Sequence, residues 1–140
     1  MIDAAATPTT ICCRITDPPL ELYTTDKAFR PNPTTVRFGR AVRVKPGDLV
    51  FDIGTGTGPL AIKAAMDGAS HVYAVDPVEL HCALARRNVA KYKLESKVTV
   101  LKGRFFEPFD ADPRLRSLRA DVIIGDVSGI ADAVSHALGL

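Results

Sequence analysis

A glycine-rich turn between an apolar run and a helical pattern is the feature that most constrains the fold of this chain. Residues 49–53 are almost continuously apolar, as expected for a strand that is buried on both faces of a parallel sheet. Three glycines then alternate, at Gly54, Gly56 and Gly58, before Pro59 opens a predicted helix. The pattern therefore predicts a strand, a tight turn and a helix, the first unit of a parallel α/β sheet.

The same alternation of strands and helices continues along the rest of the chain. The further predicted elements are strands at His71–Val75, Lys97–Leu101 and Ala120–Gly125, a helix at Val78–Tyr92, an irregular connection at Phe105–Arg119 and a last helix at Ile130–Leu138. This order predicts a doubly wound, Rossmann-like sheet with helices on both faces and right-handed crossovers. Ligands of such sheets bind beyond the carboxyl ends of the strands.

A lead-in precedes this α/β unit. Short stretches with β-strand character at Thr10–Ile15 and Leu20–Thr24 are separated by a proline-containing turn. A helix is predicted from Thr34 to Val44, where a Lys-Pro-Gly-Asp turn follows. We therefore predict a lead-in over residues 1–35 and a Rossmann-like domain over residues 36–140.

Composition and charge exclude several classes of protein. A chain of 140 residues, 46% of them hydrophobic, is long enough for one domain with its own core, and its net charge of +2 is too balanced to imply a nucleic-acid partner. No apolar run approaches the roughly 18 residues of a membrane span. The three cysteines form no metal-binding spacing, and His71, His81 and His136 are scattered, so we expect structural or surface roles for them and no metal site. We expect a cytoplasmic protein.

An acidic residue ends the second predicted strand of the domain. Asp76 lies 22 positions after Gly54. A carboxylate at this point can accept hydrogen bonds from both ribose hydroxyls of an adenosine ligand, although it can also cap the helix that follows. The glycine turn leaves backbone N–H groups available to a ligand, so the two features together predict a nucleoside-cofactor site.

The spacing of the glycines separates two kinds of cofactor. Dinucleotide-binding folds use G-x-G-x-x-G, in which the pyrophosphate rests on the helix N-terminus and the third glycine allows close helix packing. Here the third glycine comes one residue early, and Pro59 occupies the place of the packing glycine. Asp52, two residues before the first glycine, would repel a pyrophosphate but suit a cation. S-adenosylmethionine, which carries an ammonium and a sulfonium, therefore fits better than a nicotinamide dinucleotide.

These residues resemble the motifs of class I S-adenosylmethionine-dependent methyltransferases. The segment from Val50 to Gly58 resembles their first motif, and Val72 to Asp76 resembles their second. The resemblance implies S-adenosylmethionine as cofactor, with Asp52 and the glycine turn at its methionine end and Asp76 at its ribose. The cofactor-binding residues implied in this way are Asp52, Gly54, Thr55, Gly56, Gly58, Asp76, Pro77, Arg104, Phe105 and Asp126.

Within this class, the segment from Ala28 to Thr35 resembles the lead-in of enzymes that methylate ribosomal protein L11 or a release-factor glutamine. Similar segments occur in corrinoid-precursor methyltransferases, and a proline-rich turn that caps a helix would account for the same residues. The resemblance therefore leaves the methyl acceptor unknown and favours a nitrogen atom of a protein or an RNA.

Two segments depart from the pattern of the class. Arg104 stands where an acidic residue often accepts the adenine amino group, so adenine recognition is expected from the backbone and Phe105. Core packing is the alternative for Phe105 and Phe106, and we expect it for at least one of them. At the fourth strand, Asp126 begins a segment where release-factor-type enzymes have Asn-Pro-Pro-Tyr. Asp126 is our candidate catalytic residue, as a general base toward the acceptor, with a helix N-cap as the alternative.

The resemblance also implies three more strands after the fourth, for which few residues remain. We expect the chain to be a shortened piece of a methyltransferase that lacks the last strands of the usual seven-stranded fold. The alternative is that a partner chain or self-association covers the edge of the fourth strand. Two alternative functions stay open, a non-catalytic cofactor-binding or scaffold domain and a small-molecule (corrinoid-precursor) methyltransferase.

Overall fold

The chain forms two sheets, which the computed structural model describes over residues 7–125. Strands β1 (Thr9–Cys13) and β2 (Leu20–Thr24) pair as an antiparallel hairpin. The second sheet is formed by four parallel strands, β3 (Leu49–Ile53), β4 (His71–Asp76), β5 (Val98–Lys102) and β6 (Val122–Gly125). The helices within these residues are α1 (Pro33–Ala41), α2 (Pro59–Met66), α3 (Glu79–Lys91), α4 (Glu107–Ala111) and α5 (Pro113–Arg116).

The order of the parallel strands places a ligand-binding crevice beside β3. The sheet runs β5-β4-β3-β6, so the chain proceeds outward from β3 through β4 to β5 and then returns to the other side of β3. The strand order therefore reverses at β3, and ligands of doubly wound sheets bind at such a reversal, beyond the carboxyl ends of the strands. The predicted fold class is confirmed, and the predicted fourth strand lies next to β3 with Val50 opposite Val122.

One face of the sheet packs against α2 and α3. Val50 and Val72 have no solvent exposure and belong to one cluster with Ile62 of α2 and Ala85 of α3. Cys82 and Val89, which lie on the same face of α3 as Ala85, are buried in this cluster too. A fully buried valine or isoleucine of this cluster contributes about 1.5–3 kcal/mol. These contacts hold the two helices that begin at the carboxyl edge of the sheet.

The opposite face packs against α4 and α5 through Phe109. The rings of Phe109 and Phe51 stack with their centroids 4.2 Å apart. Phe105 and Phe106 remain 51% and 42% exposed, so the expectation that at least one of them lies in the core is wrong. The reason is local: both precede α4, which begins at Glu107, and only Phe109 lies on the helix face that meets the sheet.

The hairpin β1–β2 is attached to α3 through the buried side chain of Asn88. The Asn88 carbonyl accepts from the Tyr23 N–H at 2.6 Å, and its amide donates to the Tyr23 carbonyl at 3.1 Å. The same amide donates to the carbonyl of Thr57, in the glycine turn, at 2.9 Å. One side chain therefore joins the hairpin, α3 and the turn.

Helix α1 begins inside the predicted lead-in and ends earlier than predicted. Asn32 and Thr35 form a capping box at its start, and the backbone turns extended at Val42, with φ −69° and ψ 129°. The predicted last helix and Asp126 lie outside the described residues. Cover of the outer edge of β6 by a partner chain or by self-association stays a prediction. Over residues 7–125, no helix has the length and apolar character needed to cross a membrane.

Candidate cofactor-binding site

A cavity of about 320 Å³ lies at the carboxyl ends of β3 and β4. Its lining comes from the segment before α1 and the first turn of that helix, from the glycine turn and the start of α2, and from the end of β4 with the start of α3. The residues are Phe29, Pro31, Thr35, residues 54–57, Pro59, Leu60, residues 76–78 and His81. Ligand pockets of proteins have volumes of roughly 300–1,000 Å³, so this cavity is large enough for part or all of a small ligand. It lies where the strand order predicts a binding site.

The glycine turn has the backbone conformation that its sequence predicts. Gly54, Gly56 and Gly58 have φ values of 80°, 57° and 97°, in the left-handed region that favours glycine. The N–H groups of Gly54 and Thr55 both donate to the carbonyl of Val75, at 2.8 and 2.9 Å. The turn after β3 is thereby bonded to the end of β4, which brings the two sequence motifs together.

Asp76 connects the end of β4 to the glycine turn directly. Its side chain is only 5% exposed, and Oδ2 accepts from the Gly56 N–H at 2.9 Å. Oδ1 accepts from the Val78 N–H at 2.9 Å and from Nδ1 of His81 at 3.1 Å. A carboxylate has about four acceptor positions, so one position remains on Oδ2. Asp76 therefore bonds to Val78, the N-cap residue of α3, without capping the helix itself, and still has an acceptor for a ligand at the cavity.

Hydrogen bonds keep Asp76 ionised despite its burial. Burial by itself raises the pKa of this carboxyl. The bonds from His81, Val78 and Gly56 outweigh that effect and hold the pKa of Asp76 below its ordinary value. The cavity is therefore bordered by a fixed negative charge at neutral pH.

Asp52 lies beneath the turn, away from the cavity lining. Its side chain has no solvent exposure, and Oδ2 accepts from the Thr55 hydroxyl at 2.7 Å. Thr55 itself lines the cavity. Contact between Asp52 and the cationic end of a cofactor stays a prediction, and the carboxyl group of Asp52 lies one side chain behind the cavity surface.

Two threonines of the turn have opposite hydrogen-bonding states. The Thr55 hydroxyl donates to Asp52, whereas the Thr57 hydroxyl is buried at the cavity without a partner among the described residues. We expect Thr55→Val to lower the free energy of unfolding by about 2 kcal/mol, because a hydrogen bond to a buried charge is lost. Thr57→Val should change it by less than about 0.5 kcal/mol, because no bond is lost. Urea denaturation of both variants measures the difference, and an equal loss in both would contradict this assignment.

Of the remaining predicted site residues, Pro77 lines the cavity, whereas Gly58, Arg104 and Phe105 do not. Pro77 lines the cavity next to Asp76. Gly58 does not line it; a Cβ there would make only an ordinary contact, 3.5 Å from the Cβ of Ala85, and it is the φ of 97° that favours glycine. Arg104 and Phe105 are exposed in the turn after β5 and do not line the cavity, so their role in adenine binding stays a prediction. No group of three or more candidate metal ligands occurs within residues 7–125.

Sequence reasoning missed several residues of the cavity lining. The missed residues are Phe29, Pro31, Thr35, Thr57, Pro59, Leu60, Val78 and His81. The segment from Ala28 to Thr35 has no local pattern that indicates a binding role, and its position at the cavity depends on long-range contacts. For His81 one signal was available: it lies five residues after Asp76, so one helical turn returns its side chain to the start of α3.

Comparison with known proteins identifies the family. Residues 34–136, more than half of the chain, match the family model described as ribosomal protein L11 methyltransferase (PrmA). Among curated proteins, the chain is 37% identical over 92 residues to the ribosomal protein L11 methyltransferase of Pelotomaculum thermopropionicum, covering 66% of this chain and 27% of that protein. The same enzyme of Caldanaerobacter subterraneus is 40% identical over 91 residues, with 65% and 26% covered. The chain spans about a quarter of the length of these relatives.

Solved structures share the fold at lower sequence identity. Trm5 of Methanocaldococcus jannaschii, in complex with adenosine, superposes with a TM-score of 0.67 at 21% identity, covering 95% of this chain and 39% of that one. The precorrin 8W decarboxylase of Methanobacterium thermoautotrophicum gives a TM-score of 0.59 at 21% identity, with 80% and 59% covered. These structures support the Rossmann-like architecture alone.

The family match agrees with the two motifs and with their geometry at the cavity. It confirms the methyltransferase family that the motifs resemble and, through that family, S-adenosylmethionine as the cofactor. From its matched residues, the chain belongs to the ribosomal protein L11 methyltransferase family.

Proposed function

We propose that this chain forms the cofactor-binding part of an S-adenosylmethionine-dependent methyltransferase that modifies a protein, with ribosomal protein L11 as the first acceptor to test. The observation that carries the proposal is the hydrogen bond from Gly56 to Asp76, which joins the two motifs at one cavity. The names of the relatives support the protein acceptor.

The residues at the cavity fit S-adenosylmethionine. Asp76 retains an acceptor position for a ribose hydroxyl, and the Thr57 hydroxyl is a buried polar group with no hydrogen-bond partner within residues 7–125. Phe29, Leu60 and Val78 add apolar surface, which suits an adenine ring and a methylene chain. The negative charges of Asp52 and Asp76 match the two positive charges of the cofactor.

The described residues contribute binding and orientation to the reaction. When bound, S-adenosylmethionine supplies a methyl group on a positively charged sulfur. Asp76 fixes the ribose end, the glycine turn lets the backbone approach the ligand, and Phe29 with Pro31 shields the cavity from water on one side. Methyl transfer of this kind gains its rate mainly from proximity and orientation. On the acceptor side, Asp126 stays our candidate general base.

Titration calorimetry of the chain with S-adenosylhomocysteine and with NAD tests the cofactor. We expect S-adenosylhomocysteine to bind with a dissociation constant on the order of micromolar, which corresponds to a binding free energy of about −8 kcal/mol. We expect NAD to show no heat of binding. Binding of NAD without S-adenosylhomocysteine would overturn the proposed function, because it would identify the glycine turn as a dinucleotide site.

Transfer of a tritiated methyl group tests the acceptor. The chain is incubated with labelled S-adenosylmethionine and either purified ribosomal protein L11 or cell extract, followed by protease or ribonuclease digestion. If protease digestion removes the label, the acceptor is a protein, as proposed. If ribonuclease digestion removes the label, the acceptor is RNA and the proposed protein acceptor is wrong. Cofactor binding without any labelled product would favour the scaffold function.

We also propose a cytoplasmic location. The chain's three cysteines, Cys12, Cys13 and Cys82, are free thiols, and burial raises the pKa of Cys13 and of Cys82. Free thiols are typical of a reducing compartment. Fluorescence microscopy of a tagged protein would show the location directly.

A further inference from the structure

His81 forms two hydrogen bonds that connect separate sides of the cavity. Its Nδ1 lies 3.1 Å from Oδ1 of Asp76, at the end of β4. Its Nε2 accepts from the backbone N–H of Phe29 at 3.0 Å, in the segment before α1. The imidazole is mostly buried, with 13% of its side chain exposed. One ring thus bridges the carboxylate and the lead-in over the site.

The two hydrogen-bond partners of His81 determine which of its ring nitrogens carries a proton. A backbone N–H only donates, so Nε2 carries no proton, and the carboxylate only accepts, so Nδ1 carries the proton. Both bonds therefore exist together only in the neutral ring with its proton on Nδ1. A residue that only donates or only accepts cannot take this place.

The bond to His81 restricts the orientation of Asp76. The terminal torsion of an aspartate side chain has a broad energy minimum, so its carboxylate is held mainly by its hydrogen bonds. Val78 and His81 together fix Oδ1, which leaves the open acceptor position on Oδ2, beside Gly56. On the other side, Phe29 lines the cavity although its side chain is 44% exposed, and its N–H is held by His81.

We propose that His81 is a positioning residue of the cofactor site, which aligns Asp76 toward the ribose hydroxyls and fastens the Phe29 segment across the adenosine end of the cavity. The inference rests on the proposed function, because the ligand it concerns is S-adenosylmethionine. It assigns two separable effects to one side chain: ribose recognition through Nδ1 and closure of the lead-in through Nε2.

Three substitutions separate these effects. His81→Phe keeps a planar ring and removes both bonds. His81→Asn places an amide near the position of Nδ1, where it can donate to Asp76, but it does not reach Phe29. His81→Gln places an amide oxygen near the position of Nε2, where it can accept from Phe29. His71→Phe is the matched control, because that ring contacts Thr99 and does not line the cavity.

The ribose effect is measured with S-adenosylhomocysteine and its 2′,3′-dideoxy analogue. We expect His81→Phe to weaken S-adenosylhomocysteine about tenfold, the effect of one misaligned hydrogen bond to a charged group, and to change the binding of the dideoxy analogue less than about threefold. His81→Asn should restore most of the affinity for S-adenosylhomocysteine, and His71→Phe should leave both affinities unchanged. Equal weakening of both ligands by His81→Phe, or no weakening of either, would overturn the role in ribose recognition.

The closure effect is measured without a ligand, by amide hydrogen exchange. We expect the Phe29 amide to exchange at least about tenfold faster in His81→Phe and His81→Asn than in the unchanged chain, and His81→Gln to restore its protection. Unchanged exchange at Phe29 in His81→Phe would overturn the closure role. Absence of S-adenosylhomocysteine binding by the unchanged chain would instead overturn the proposed function, since the exchange measurement needs no cofactor. If His81→Phe fails to fold, the Asn and Gln variants still separate the two bonds.

Discussion

Replacing Asp76 with asparagine will weaken the binding of S-adenosylhomocysteine by about 100-fold or more. Two losses add up: the ligand-facing charge disappears, and one carboxylate oxygen becomes an NH₂ group. That NH₂ group must face either the Gly56 N–H or the donors from Val78 and His81, all of which require an acceptor. Each loss is of the order of 1.5–3 kcal/mol, and 2.7 kcal/mol corresponds to a factor of about 100. Titration calorimetry measures the change.

The matched control for this prediction is Asp67→Asn. Asp67 is also an aspartate, and its exposed ion pair with Lys63 lies outside the cavity. Surface ion pairs of this kind contribute about 0–1 kcal/mol, so the control should bind S-adenosylhomocysteine normally. If Asp76→Asn bound the ligand as tightly as the control does, Asp76 would have no direct part in cofactor binding.

The same substitution has a pH signature in the folding equilibrium. The pKa of Asp76 is lower in the folded chain than its ordinary value. Its contribution to stability is therefore complete above the unfolded-state pKa and is lost as the pH falls through the folded-state pKa. Urea denaturation at several acidic pH values should show that Asp76→Asn costs the most at neutral pH, and that the two chains converge as the pH falls.

Replacing Asn88 with leucine will lower the free energy of unfolding by about 3–5 kcal/mol, because it leaves several buried backbone groups without partners. Leucine has the same number of side-chain heavy atoms in the same branched arrangement and is not smaller than asparagine, so no cavity is created and the cost arises from the lost hydrogen bonds. The groups left unpaired are the N–H and carbonyl of Tyr23 and the carbonyl of Thr57. Urea denaturation followed by circular dichroism measures the loss.

Ala90→Ser is the control for this substitution, because Ala90 lies on the exposed face of the same helix. It should change the free energy of unfolding by less than about 0.5 kcal/mol. A loss below about 1 kcal/mol in Asn88→Leu would show that the hairpin is not attached through this side chain. Asn88→Asp should also destabilise the chain, since a carboxylate cannot donate to the carbonyls of Tyr23 and Thr57.

The elements with clear local boundaries could be predicted from the sequence. Strand β3 has the predicted bounds because it is a short apolar run that ends at the glycine turn, and α2 begins at Pro59 as predicted because proline suits the first position of a helix. The approach of Asp76 to the glycine turn also followed from the pattern, since the carboxyl ends of neighbouring parallel strands meet at one edge.

The features that depend on long-range contacts could not be predicted. Helix α1 ends at Ala41 although the apolar pattern of the sequence continues to Val44. The position at which α4 begins determines which phenylalanine enters the core. His81 received no site role, because nothing local shows that its second nitrogen meets Phe29, 52 positions away in the sequence. Spacing shows which residues share a helix face, but it does not show which loop covers that face.

The carbonyl of Val75 accepts two hydrogen bonds from the turn after the neighbouring strand, from Gly54 and from Thr55. This shared anchor holds the glycine turn at a set distance from the end of β4, where Asp76 lies. In the proposed function the turn and Asp76 contact two different parts of the cofactor, so we expect the spacing between these contacts to be set before binding and little conformational entropy to be lost. Such preorganisation means that a change in the loop between these strands alters affinity through geometry, even where the altered side chain never touches the ligand.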